Sequence, residues 1–289
     1  MTSSTATLIG FTAILMWSLL SLLTVASGTV PPFQLAAMTF AIGGSIGAAT
    51  WPFRPGAARA LQQPWPVWAL GVGGLFGYHA LYFLALRLAP PAEAQLVSYL
   101  WPVLIVLLSA LLPGERLRLH HLAGALIALA GTVTLFAGRG ITLTGAYLPG
   151  FAAALVAAFT WAIYSVLSRR FADVPSDAVV GFCLATAALA AIAHLAFEQT
   201  HWPENSSQWL AVLALGVGPV GAAFYVWDIG MKRGDIRVLG VGSYLAPLLS
   251  TLFLVLAGYA VASISLALAA LLITGGGVLA AKDMTWRKA

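Results

Sequence analysis

Of the 289 residues, 61% are hydrophobic and only 8% charged, and the mean hydropathy is +0.93. A water-soluble domain carries about 25% charged residues, so lipid has to solvate most of this surface. The formal charge of +5 is spread over 14 basic residues that form no cluster, which excludes a nucleic-acid face, and the single Cys183 offers neither a disulfide framework nor a metal site.

The amino-terminal MTSSTATLIG lacks the basic region of a signal peptide, so the apolar run behind it reads as an uncleaved first span. A spanning helix needs about 20 mostly apolar residues. Punctuation by Pro, Gly and charge predicts ten such runs, at 6–26, 33–52, 65–87, 92–112, 120–137, 148–169, 177–197, 208–231, 236–257 and 262–281. The expected fold is an all-α integral membrane protein. Lys and Arg set its orientation. Twelve of them, from Arg54 and Arg59 through Arg116, Arg169, Arg170, Lys232 and Arg237 to Lys288, fall on the amino-terminal side. Only Arg87 and Arg139 fall on the other. Both termini are therefore expected in the cytoplasm.

The chain repeats itself. Ser98-Tyr99-Leu100-Trp101-Pro102 returns as Ser243-Tyr244-Leu245-Ala246-Pro247, and Leu70-Gly71-Val72-Gly73 as Leu215-Gly216-Val217-Gly218, both at an offset of 145. Near the same offset Trp17 aligns with Trp161, Ser21 with Ser165, Tyr82 with Trp227 and Arg87 with Lys232. Spans one to five thus resemble spans six to ten. An odd number of spans per half inverts the second copy, which predicts two inverted five-helix repeats at 1–143 and 144–289. Inverted repeats are the architecture of many secondary transporters, with substrate held near the midplane.

Pro102 and Pro247 each remove an amide donor and displace the carbonyl four residues earlier. The expectation is a pair of helix kinks that free the Ser98 and Ser243 carbonyls toward a cavity. A kink that serves packing alone, with each Ser bonded back into its own helix, is the plainer alternative. Tyr78, His79 and Tyr82 recur on the third span, and Tyr164 lies beside Trp161 and Ser165. Together with Trp17, Ser21, Ser98, Tyr99, Trp101, Trp227, Ser243 and Tyr244 they form the expected substrate cavity. Trp65, Trp68, Trp202 and Trp209 sit at span ends and read as interfacial anchors.

Ionisable groups inside a membrane are functional candidates by default, and His79 is the deepest. No Lys or Arg falls clearly inside a predicted span, so an obligately anionic substrate lacks a counter-ion. Asp228 and Lys232 read as an i, i+4 pair at a helix end. Arg87 and Glu93 flank Pro90-Pro91 as a gate pair or as solvated charges, and Glu115 reads as structural.

The run from Tyr99 to Leu117, YLWPVLIVLLSALLPGERL, resembles the fourth-helix signature of the EamA family of the drug/metabolite transporter superfamily. Trp17 on the first span and the repeated ten-span plan are similar too, so the likeness covers nearly the whole chain. Within that family the aromatic faces are most similar to those of bacterial exporters of aromatic amino acids. The resemblance implies gradient-driven export across the bacterial inner membrane without ATP hydrolysis. One departure is Tyr259, which stands where the first repeat has Glu115.

The reading is therefore a cofactor-free exporter of amino acids and related small metabolites, embedded in the bilayer and compatible with a monomer. Tyr and Trp rings would hold the side chain and, by cation–π attraction worth up to about 2 kcal/mol when desolvated, the ammonium. A multidrug or quaternary-cation exporter is the first alternative, and it would want a midplane carboxylate. A lipid-modifying membrane enzyme is the second; it would want clustered His or acidic groups, and no HExxH pattern is present.

Overall fold

The computed structural model describes residues 1–113, 117–137, 145–258 and 261–282. Glu115, Arg116, Arg139, Tyr259, Arg287 and Lys288 lie outside the described residues. Every regular element among those described is helical. Seven helical runs are long and apolar enough to cross a membrane: Ser3–Ala26, Pro32–Phe53, Trp65–Leu88, Gly145–Phe171, Ala178–Phe197, Ser206–Arg233 and Ile236–Leu256. Shorter apolar helices cover Glu93–Ser109, Leu119–Thr134 and Ile264–Ala280.

Helix starts follow from local chemistry. Pro stands in the first turn of α3 (Pro32–Ala49), α4 (Trp65–Val72), α6 (Pro91–Ser98) and α9 (Leu148–Ser168), where a missing amide donor has no intrahelical partner to lose. Asn205 caps α11 (Ser206–Val217) by accepting from the Gln208 amide at 3.0 Å. Asp235 does the same for α13 (Ile236–Gly242), accepting from the Arg237 and Val238 amides at 3.0 and 3.2 Å. Such caps satisfy the donors that a helix leaves open at its start.

Both proline pentapeptides break their helices. α6 stops at Ser98 and α7 (Trp101–Ser109) begins beyond Tyr99-Leu100; α13 stops at Gly242 and α14 (Leu245–Leu256) begins beyond Ser243-Tyr244. The expectation of a freed Ser243 carbonyl needs correction. That carbonyl accepts from the Ala246 amide at 3.0 Å in a tightened turn, and the Ser243 hydroxyl donates back to the Leu239 carbonyl at 2.7 Å. Loss of the usual partner at Pro247 is absorbed within the chain, as the plainer alternative held.

The other repeated motif has a shape of its own. Leu70-Gly71-Val72-Gly73 runs into a π-helical turn, Gly73–Gly77, before α5 (Tyr78–Leu88). Its copy runs into a second π-helical turn, Gly218–Ala222, before α12 (Ala223–Arg233). The two turns keep the offset of 145. A π turn inserts an extra residue into the helical ladder, and Gly74 and Gly221 within the two turns let Tyr164 and Gly43 approach closely.

Repeat-related helices pack side by side and antiparallel. At one end Glu198, just past α10 (Ala178–Phe197), accepts from the Phe33 and Gln34 amides that open α3, each at 3.1 Å. At the other end Arg54, just past the 3₁₀ turn Trp51–Phe53, pairs with Asp177 before α10 at 2.7 Å. In the same way α8 (Leu119–Ala137) lies along α15 (Ile264–Ala280). A Cβ on Gly124 would stand 2.5 Å from the Gly276 carbonyl, and one on Gly131 would stand 2.8 Å from the Ile273 side chain. Small residues at such seams let backbones meet, which drives helix association where lipid is as apolar as Leu.

The Arg54 end also holds Arg59, Arg169, Arg170, Lys232, Arg233 and Arg237. Arg169 ties α9 to the turn after α12 by donating to the Gly234 carbonyl at 2.9 Å. This end is called the basic end below, and the Glu198 end the far end.

Candidate functional site

Where the helix breaks and π turns converge, the rings collect. α1 (Ser3–Ser18) is interrupted at Leu19 before α2 (Leu20–Ala26), one turn from Trp17. The Trp17 indole N–H donates to the Pro219 carbonyl in the second π turn at 3.0 Å. Its ring meets Trp227 at 5.0 Å, Trp161 at 5.6 Å, Phe224 at 6.1 Å and Trp101 at 6.4 Å between centroids. Trp161 and Trp227 stack at 6.3 Å, and the Trp227 N–H donates to the Ser165 hydroxyl at 3.1 Å. Four Trp from α1, α7, α9 and α12 thus form one floor, and the three from α7, α9 and α12 are buried. Aromatic pairs of this kind contribute about 0.5–1.5 kcal/mol each beyond their area.

Above the floor, toward the far end, stands a tier that stays half-buried: Tyr78, His79 and Tyr82 on α5 and Tyr99 at the α6–α7 break. Tyr78 stacks on Tyr82 at 6.0 Å and meets Trp161 at 5.4 Å. Ser98 is 2% exposed, with its hydroxyl beside that of Tyr78. His79 Nδ1 is tied to the Leu75 carbonyl at 2.7 Å, and its ring meets Phe40 edge-on at 5.2 Å. A half-buried aromatic tier over a buried aromatic floor can take up a flat apolar side chain by stacking. Its hydroxyls can then exchange partners with polar groups.

The structure brings Trp17, Tyr78, His79, Tyr82, Trp101, Trp161, Tyr164 and Trp227 into one ring assembly, with Ser98, Tyr99 and Ser165 against it. Ser21 lies one turn beyond Trp17 on α2, half-buried. Tyr244 stands elsewhere. It is fully buried in a second core with Val103, Val106 and Ala128, and Ser243 is wholly buried beside it. Both are buried in this conformation, where the sequence placed them on the cavity. Tyr164 is buried under the floor, packed against Gly74 in the first π turn, where any Cβ would overlap its ring.

Several participants escaped the sequence reading. Phe40 and Phe224 stack at 5.4 Å within the assembly; Phe224 precedes Trp227 by three residues, a spacing that marks the same helix face. Arg87 pairs with Glu198 at 3.3 Å, so the expected Arg87–Glu93 gate gives way to a partner from the other half. Glu93 itself is buried. Glu198 also meets His194 Nδ1 at 3.0 Å. The Asp228–Lys232 pair is formed at 2.8 Å in the last turns of α12, as the spacing predicted, with side chains 3% and 5% exposed because neighbouring segments cover it. Lys232 is thus a basic residue within a membrane-length helix. Among the described residues, no group of three or more His, Cys, Asp or Glu is arranged to hold a metal.

Apolar helices in antiparallel, repeat-related pairs around an accessible aromatic centre define a membrane transporter built of two related halves. The chain belongs to the EamA-like transporter family, which matches residues 4–137 and again 148–281. It is 61% identical over 282 residues to the aromatic amino acid exporter YddG of Ancylobacter novellus, covering 97% of this chain and 98% of that one. It is 27% identical to the exporter of the same name from Escherichia coli K12, covering 96% and 97%. A solved crystal structure, 60% identical, superposes with a TM-score of 0.93 over 98% of this chain and 99% of that one.

Proposed function

We propose that the protein exports amino acids, aromatic ones preferred, from the bacterial cytoplasm by alternating access, without nucleotide hydrolysis. The observation that carries this reading is the ring assembly itself. It joins helices of both halves, is sealed toward the basic end and stays half-open on its tyrosine tier. The 61% identity to a protein named as an aromatic amino acid exporter supports the substrate class. Residues 1–143 and 144–289 act as the two inverted five-helix halves. The three shorter apolar helices complete ten spans, and the basic end, with both termini, faces the cytoplasm.

Substrate sits between the halves, its side chain among Trp17, Tyr78, Tyr82, Trp101 and Trp161, with Ser98, Tyr99 and Ser165 beside it and His79 at the edge. Proteoliposomes loaded with a mixed amino-acid pool test this. Selective efflux of aromatic and large apolar amino acids without added nucleotide is the expected result, and retention of all of them overturns it. Running the assay with and without a proton gradient identifies the coupling. Adding a quaternary cation to the pool tests the alternative cargo. For topology, a membrane-impermeant thiol reagent should reach Gly56→Cys only from the inner face of oriented vesicles.

A further inference from the structure

Asp228 and Lys232 form the buried ion pair described above. The Asp228 carboxylate also accepts from the Ser176 hydroxyl at 2.6 Å, and the Lys232 ammonium donates to the Val174 carbonyl at 2.9 Å. Asp228 follows Trp227 directly on α12, on the basic side of the aromatic floor, and Lys232 stands a turn further on, in the last turn of the helix. Near Asp228 stands Tyr164, 3% exposed, whose hydroxyl has no hydrogen-bond partner and feels the Asp228 charge. Taking two charges out of water is costly, and a buried pair can often be replaced by apolar side chains without loss of stability. A charged pair kept under a transporter's central site therefore calls for a use beyond holding the helix together.

The repeat supplies the rest. At the offset of 145, Lys232 corresponds to Arg87, and Asp228 to Phe83. Arg87 is 49% exposed at the far end, the side on which the aromatic tier is half-open. Lys232 is sealed at the basic end, the side on which the floor is closed. When two inverted halves exchange arrangements, each residue takes over the setting of its counterpart. Lys232 then becomes as accessible from the basic end as Arg87 is now from the far end, and Asp228 emerges with it. At the far end Phe83 carries no charge, and Arg87 pairs instead with Glu198 from the other half.

We propose that Asp228 and Lys232 are the loading subsite for the charged ends of the amino acid, a role that rests on the functional reading above. In the inward-open state the substrate ammonium replaces Lys232 at the Asp228 carboxylate, and the substrate carboxylate meets the Lys232 ammonium. A neutral zwitterion thus exchanges with a neutral ion pair, so no charge is left unpaired. Tyr164 offers its hydroxyl as a further partner, and the aromatic side chain faces Trp227.

The test uses the full chain in oriented proteoliposomes with phenylalanine as probe. The double variant Asp228→Asn, Lys232→Met removes both charges together and strands neither. Its KM for phenylalanine supplied at the basic side should rise at least about tenfold. A KM within twofold of the unaltered protein overturns the subsite. Should that variant fail to fold, Ser176→Cys reads the same site. Saturating phenylalanine should slow its modification by an impermeant thiol reagent added on the basic side, and modification unaffected by phenylalanine overturns the proposal. If the unaltered protein moves no phenylalanine at all, the functional reading itself falls, and that outcome is distinct from either variant result.

Discussion

The Trp17 indole donates to the Pro219 carbonyl across 3.0 Å, joining the first span of one half to the π turn of the other. This bond crosses between the halves at the point where both have irregular backbone. Replacing Trp17 with Phe keeps a ring but strands the carbonyl. An unsatisfied buried acceptor costs about 1–3 kcal/mol. The thermal midpoint of purified Trp17→Phe should fall, and Trp17→Ala, which also loses four ring contacts, should fall further and abolish export.

Tyr99 and Tyr244 are copies of one residue in different settings, the first half-buried on the tier and the second fully buried in a core. Tyr99→Ala should leave stability nearly unchanged and weaken amino-acid binding to the purified protein. Tyr244→Ala should cost about 3–5 kcal/mol, as large-to-small changes of buried aromatics do. Paired thermal scans and binding titrations separate them, and equal effects of the two on stability would contradict the assignment.

Glu198 holds the start of α3, Arg87 and His194 at once, with its side chain 2% exposed, whereas Arg87 is 49% exposed. Loss of a helix cap costs about 0.5–2 kcal/mol, and loss of an exposed ion pair about 0–1 kcal/mol. Glu198→Ala should therefore destabilise clearly more than Arg87→Ala in a thermal scan at moderate salt. A reversed order would mean that the ion pair, and not the cap, carries the contact.

Neighbouring glycines on α15 separate seam from surface. A Cβ on Gly276 would stand 2.5 Å from the Gly124 carbonyl, while one on Gly277 would meet nothing within 4 Å. Gly276→Ala should lower the thermal midpoint or the folded yield, since overpacking costs about 1–3 kcal/mol. Gly277→Ala should be neutral or slightly stabilising, because Gly is the poorer helix former by about 1 kcal/mol. Folded yield by size-exclusion chromatography reads both.

Much of the architecture was legible because its signals are local or periodic. The two pentapeptides broke their helices where Pro102 and Pro247 predicted, and the LGVG pair marked both π turns although the sequence does not announce their width. Trp17 and Trp161, aligned by the repeat, meet at 5.6 Å. The errors arose where pairing decides the outcome. Arg87 and Glu93 are close in sequence, yet Arg87 finds Glu198 across the fold. Asp228 and Lys232 form the helix-end pair that their spacing predicted, but spacing along a helix does not report that neighbouring segments bury it. Ser243 and Tyr244 inherited their motif without its surroundings.

By itself the sequence determined that lipid is the solvent, where the apolar segments begin and end, and that the chain is a duplicated plan. Composition, proline, glycine and an offset of 145 are properties of the chain alone. Only the tertiary structure decided which copy of each repeated residue faces an accessible tier and which lies sealed. Two nearly identical segments have the same local preferences. Their burial depends on what the other half places against them, and the protein holds the two halves in unequal arrangements.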